Sequence, residues 1–158
     1  MRPTILALDL EGTLISNAVS QIPRSGLYEF LEYAQGQFDE LVMFTTVDEV
    51  RFRRIAALLV SEGKVPDWFA QLAYTTWSGR TKDLTYVSPT LGEALLFDDH
   101  AAYVHPGQEP LWVEVPLFDS PYLAEDEGLL VAKRRLEERM VSLALGSFPT
   151  GRHEDAQS

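Results

Sequence analysis

The sequence predicts an α/β fold, a central and mainly parallel β-sheet sandwiched between two outer layers. Three observations predict it. Short apolar strand patterns alternate with helix-period patterns along the chain, as βαβ units require. Three strand patterns end abruptly in polar groups fit for chemistry: Asp9 and Glu11, then Thr45 and Thr46, then Asp98 and Asp99. The chain has 158 residues, 46% of them hydrophobic, which suits one domain with one full core. Right-handed crossovers between parallel strands would bring all three polar ends to one sheet edge. Open α/β sheets bind ligands outside the carboxyl ends of their strands.

The elements follow in order. Residues 4–10 read as a buried strand that delivers Asp9 and Glu11 to its end, and Gly12 permits a sharp turn there. Residues 15–25, rich in Ser, Asn and Pro, read as a loop or short hairpin flap. Leu27, Phe30, Leu31 and Ala34 predict a helix over 26–36, with Gly36 as its C-cap. Leu41 to Phe44 form a second strand, and Asp48 is suited to N-cap a helix carrying Phe52, Ile55, Ala56 and Leu59 as far as Gly63. Residues 71–75, 93–97 and 111–115 are further strands, and 125–143 an amphipathic helix. The tail from Gly146 is polar and is expected to be disordered, so the domain spans 1–145.

Composition removes several function classes. Asp plus Glu number 24 against 13 Lys plus Arg, a formal net charge of -11, which weighs against nucleic acid or an anionic membrane as partner. The absence of cysteine excludes a disulfide scaffold, a cysteine-ligated zinc and a cysteine nucleophile. The N-terminal apolar run is short and interrupted by Asp9, unlike a signal peptide or a membrane span, so a cytoplasmic location is expected.

The polar strand ends suit phosphoryl transfer, which needs an in-line nucleophile and neutralisation of the phosphoryl oxygens. Asp9 can supply the nucleophile and a metal ligand, and Asp98 or Asp99 can complete a Mg²⁺ site of oxygen ligands. A hydroxyl and amides near Thr45, beside the start of the following helix, can hold phosphate oxygens, with Thr46 as substitute. Among Lys64, Lys82 and Lys133, Lys82 is best placed to add positive charge, because it precedes the strand ending at Asp98. His105 reads as a structural hydrogen-bonder, and the three tryptophans as packing residues, with Trp77 alone a candidate for the substrate mouth.

The order Asp9-Leu10-Glu11-Gly12-Thr13, Phe44-Thr45-Thr46, Lys82-Asp83-Leu84, Asp98-Asp99 resembles the four motifs of the haloacid-dehalogenase superfamily. It is most similar to the branch of NLI-interacting-factor-like and small CTD phosphatases, which also carry a His-Pro segment like His105-Pro106. The resemblance covers roughly residues 4–140 and implies a Rossmann-like core and a Mg²⁺-dependent phosphatase. Asp9 would form an aspartyl-phosphate, and Glu11 would act as general acid and then base. Thr45 would bind the phosphoryl group, and Lys82 would orient Asp9. Mg²⁺ would be held by Asp9, the Glu11 carbonyl and Asp98 or Asp99. Two positions depart from the pattern: Glu11 stands where the general acid is usually Asp, and Asp99 where that branch has Asn. Glutamate's extra methylene moves the carboxyl, and a misplacement of about 1 Å costs on the order of 10²-fold in rate. A weakly active or inactive phosphate- or partner-binding module is therefore the alternative. A response-regulator receiver also combines Asp, Thr and Lys, but places its lysine last. No large cap fits between the motifs, which leaves the site open to a phosphorylated protein or small molecule, or to closure by a second copy in a homo-oligomer.

Overall fold

The computed structural model describes residues 2–146. Five strands, β1 (Ile5–Leu8), β2 (Glu40–Met43), β3 (Ala73–Tyr74), β4 (Ala94–Asp98) and β5 (Trp112–Glu114), form one all-parallel sheet in the order β3-β2-β1-β4-β5. This differs from the 2-1-3-4-5 order of receiver-type sheets. Three helices accompany the sheet: α1 (Leu27–Gln37), α2 (Glu49–Ser61) and α3 (Gly128–Ala144). The central strands read as continuous apolar runs because both their faces are covered: Leu6, Ala7, Leu8, Leu95, Leu96 and Phe97 are all buried.

α1 and α2 both carry the chain one strand outward in the same direction, so right-handed crossovers put them on one face. α3 joins them there, with Lys133 Nζ 4.5 Å above the Tyr33 ring of α1. The connection from β3 to β4 runs back across the opposite face. That face is covered by irregular chain and three-residue 3-10 turns, such as Leu84–Tyr86 and Ala101–Tyr103, rather than by α-helices. The sequence explains this: Gly79, Pro89 and Gly92 interrupt any helical period in the segment.

The expected elements all occur, most of them shorter. One expectation fails. Gly36 lies inside α1, and Phe38 ends the helix in extended conformation. Phe38 is buried, and Asp39 N–H donates to the Thr4 carbonyl at 2.9 Å, so tertiary packing sets this boundary rather than the glycine. Asp48 N-caps α2 as expected, its carboxylate accepting from Arg51 N–H at 2.9 Å. The flap at 15–25 is a small hairpin, with Ile15 bridged to Pro23 and Ser16 N–H bonded to the Ile22 carbonyl. No large cap domain is present among the described residues. Of the tail expected to be disordered, 147–158 lie outside those residues. Among the described residues no helix is long and apolar enough to cross a membrane.

Candidate active site

Register builds the site. Leu8 pairs with Met43 on one side and Phe97 on the other, so the next residues along each strand emerge together at the C-terminal edge. Asp9 therefore stands beside Asp98, and Thr45 follows from β2. Asp9, Asp98 and Asp99 offer carboxylate oxygens within 4.8 Å of one another.

Lys82 is the counterion. Its side chain is fully buried, with Nζ 2.9 Å from Asp9 Oδ1 and 2.6 Å from Asp98 Oδ2. The Tyr103 ring lies under it, centroid at 4.9 Å. Burial alone would lower the lysine's pKa, but the charges and hydrogen bonds of Asp9 and Asp98 outweigh it and hold the ammonium above its ordinary value. The neighbouring chain clamps this lysine from both flanks. Lys82 N–H donates to the Tyr103 carbonyl at 2.7 Å. Thr81 Oγ1 is 2.7 Å from His105 Nδ1. Gln108 accepts from Leu84 N–H and donates to Asp83 Oδ1, each at 2.9 Å. His105 is thus a structural hydrogen-bonder, as read.

Three carboxylates against one ammonium leave an excess of negative charge. Burial, then the nearby Asp9 charge, pushes Asp98 up to about 7 despite Lys82. Burial, then a hydrogen bond and repulsion from Asp9, pushes Asp99 up to about 7. Hard oxygen donors, a small cluster and uncompensated negative charge fit a divalent cation such as Mg²⁺. Asp98 has both oxygens engaged, one by Lys82 and the other by His100 N–H at 2.9 Å. Asp99 shares the Thr13 hydroxyl with Asp9, so it keeps more coordinating capacity.

A stability prediction follows. Both carboxyls keep their protons to about pH 7 in the metal-free fold, against an ordinary value of 3.8. Their contribution to stability is fully present below the ordinary value and is lost as pH rises through 7. The melting temperature of metal-free protein should fall between about pH 5 and about pH 8. Asp99→Asn should flatten that fall, and Mg²⁺ should restore the loss at the higher pH. A profile identical in wild type and Asp99→Asn contradicts this.

Thr13 is the residue the sequence reading passes over. Its Oγ1 lies 2.8 Å from both Asp9 Oδ2 and Asp99 Oδ1, and its one proton serves one acceptor at a time. The signal was its place after the turn glycine. Gly12 has φ +76, and a Cβ there would lie 3.0 and 3.1 Å from the Asp99 oxygens and 2.9 Å from Leu117. Gly12→Ala should cost about 1–2 kcal/mol in the left-handed region. By displacing Asp99 it should also shrink the rise in melting temperature that Mg²⁺ gives. Thermal melts without and with Mg²⁺ read the two effects separately.

Glu11 lies outside the carboxylate cluster. Its Oε2 accepts from Ala18 N–H at 2.6 Å, tying the start of the flap to its turn. Thr45 is buried, and its hydroxyl accepts from Val47 N–H at 3.1 Å, which leaves its proton free to donate. Thr46 is exposed beside it. Asp48 already occupies the start of α2, so that terminus is not an open set of amides.

No protein-family profile and no curated protein matches this chain. Solved structures do. A structure of Fcp1, an essential RNA polymerase II CTD phosphatase, aligns with a TM-score of 0.57 at 15% identity, covering 98% of this chain. The fission yeast Fcp1 variant R271A bound to beryllium fluoride aligns with a TM-score of 0.54, also at 15% identity and 98% coverage. The chain shares their fold. It spans about half the length of those proteins, 53% and 55%.

Proposed function

We propose that this protein is a Mg²⁺-dependent phosphatase of the haloacid-dehalogenase type, most similar to the NLI-interacting-factor-like branch. The observation that carries the reading is Lys82 buried between Asp9 and Asp98, with Asp99 completing a three-carboxylate cluster at the strand ends. The shared fold of two CTD phosphatases supports it.

Asp9 is the nucleophile. Lys82 and Thr13 each bond one of its oxygens and so fix the carboxylate's plane. Its attack forms the Asp9–phosphorus bond as the ester oxygen–phosphorus bond breaks. Glu11 gives its proton to the departing alcohol. In the second half Glu11 takes a proton from water as water attacks phosphorus, the Asp9–phosphorus bond breaks, and inorganic phosphate leaves. Thr45 donates its hydroxyl to a phosphoryl oxygen. Asp9, Asp99 and the Glu11 carbonyl would hold Mg²⁺, with Asp98 tied to Lys82; the cation supplies charge neutralisation on the phosphoryl oxygens.

The Glu11 tether to Ala18 favours a second reading, a binding module with little turnover. Hydrolysis of p-nitrophenyl phosphate with and without Mg²⁺ separates the two. Glu11→Gln can still accept from Ala18 N–H, so the fold should hold while turnover falls by about 10²–10⁴-fold. A variant as active as wild type removes Glu11 from the mechanism. A large gain in Glu11→Asp shows a site tuned away from catalysis.

A further inference from the structure

A cleft of about 310 Å³ opens directly beside Thr45. Its far wall is the strap that continues β3, where Thr75 N–H bonds the Met43 carbonyl at 2.9 Å. Two aromatic side chains fasten the strap to the loop after β2. Trp77 Nε1 donates to the Thr45 carbonyl at 2.8 Å, and Tyr74 OH to the Val47 carbonyl at 2.6 Å. Both polar tips are thus occupied, and the rings are left as apolar surface. Trp77 also meets Tyr103 edge-on, and Tyr103 in turn lies under Lys82, so one aromatic contact links the cleft wall to the lysine's surroundings.

The remaining lining is Thr46, Thr76, Ser78 and Gly79. Among the described residues the hydroxyls of Thr46 and Thr76 have no hydrogen-bond partner, and that of Ser78 has only a long contact of 3.3 Å to Tyr86 OH. Among the described residues no charged side chain lines the cleft, in a chain with 24 acidic residues. Aromatic surface with free hydroxyls and no charge matches a group with C–H faces and hydroxyl edges. It offers no cation to a second anion, whose charge would go unpaired there. The volume lies at the lower end of the range for small-molecule pockets.

Resting on the phosphatase reading, we propose that this cleft is the leaving-group pocket, and that the substrate is the phosphoester of an uncharged polyol or sugar. Thr76 and Ser78 are its specificity-determining hydroxyls, and Trp77 is the platform.

The test compares kcat/KM for sorbitol phosphate, phosphoserine, a phosphoserine peptide and p-nitrophenyl phosphate, with Mg²⁺ present, in the full chain. Sorbitol phosphate should exceed phosphoserine by about tenfold or more. Thr76→Val with Ser78→Ala should lower the ratio of sorbitol phosphate to p-nitrophenyl phosphate by about thirtyfold, mainly through KM, the equivalent of two lost hydroxyl bonds of about 1 kcal/mol each. Both positions are exposed, and the double variant should melt with wild type. Preference for the peptide overturns the pocket assignment. So does an unmoved ratio in a double variant that still hydrolyses p-nitrophenyl phosphate. Wild type inert toward all four compounds overturns the phosphatase reading itself, and the pocket with it.

Discussion

Asp9→Asn is expected to abolish Mg²⁺-dependent hydrolysis of p-nitrophenyl phosphate, by about 10⁴-fold or more. The amide keeps the size of the carboxylate and can still accept from Lys82 through its oxygen. It cannot attack phosphorus, and its NH₂ group faces the Thr13 hydroxyl, 2.8 Å from Asp9 Oδ2 in the native site. The same change removes one of three crowded carboxylates. Asp98 and Asp99 are both held above the ordinary range in part by the Asp9 charge. Metal-free Asp9→Asn should therefore melt no lower than wild type near neutral pH, and Asp99 should titrate closer to its ordinary value. Loss of activity with retained or raised stability is the signature of a catalytic group kept against the fold's interest. A variant that keeps its turnover removes Asp9 as nucleophile. One that loses turnover and stability together makes Asp9 a structural partner of Lys82 instead.

The difference between strand-end chemistry and its surroundings explains what was legible in the sequence. Strand ends are local: an apolar run followed by Asp9, Thr45 or Asp98 states its own geometry, and parallel register does the rest. Lys82 was legible through its place before the strand that ends at Asp98 and then through the order of motifs, because nothing local marks a lysine whose side chain is fully buried. Thr13 was not singled out, since a threonine after a turn glycine reads as turn chemistry until Asp99, distant in sequence, is brought to it. Gly36 misled for the opposite reason: a good local stop signal was overridden by burial of Phe38. The second face of the sheet had no period to read. Its short turns are held by long-range bonds such as Trp77 to Thr45 and Gln108 to Leu84, which no spacing rule encodes. The cleft beside Thr45 is walled by residues that such bonds hold, so the sequence marks Trp77 as a candidate for a substrate mouth and leaves Thr76 and Ser78 unread.

Lys82→Met is expected to cost about 3–5 kcal/mol, the range for removing one partner of a buried ion pair. In a domain of this size that is a fall in melting temperature of roughly 10 °C. Methionine fills much the same volume, so the loss is electrostatic rather than a cavity effect. Among the described residues Asp98, whose side chain is fully buried, would keep only His100 N–H as a donor, while Asp9 and Asp99 crowd it. Protonation can relieve that repulsion. The penalty should therefore be small near pH 5 and large near pH 8, about one unit or more on either side of the pH at which Asp98 and Asp99 already titrate in the native site. Mg²⁺ should recover part of the stability at the higher pH, because a cation can replace the missing charge. It should not recover turnover, because Asp9 would still lack the 2.9 Å bond that orients it. Melting curves at the two pH values, with and without Mg²⁺, read the first three effects, and p-nitrophenyl phosphate kinetics the fourth. A pH-independent loss would mean that Lys82 acts by packing against Tyr103 and the clamp around it. A variant as stable as wild type at the higher pH would mean that the three carboxylates are not ionised together, which removes the excess charge on which the cation site rests.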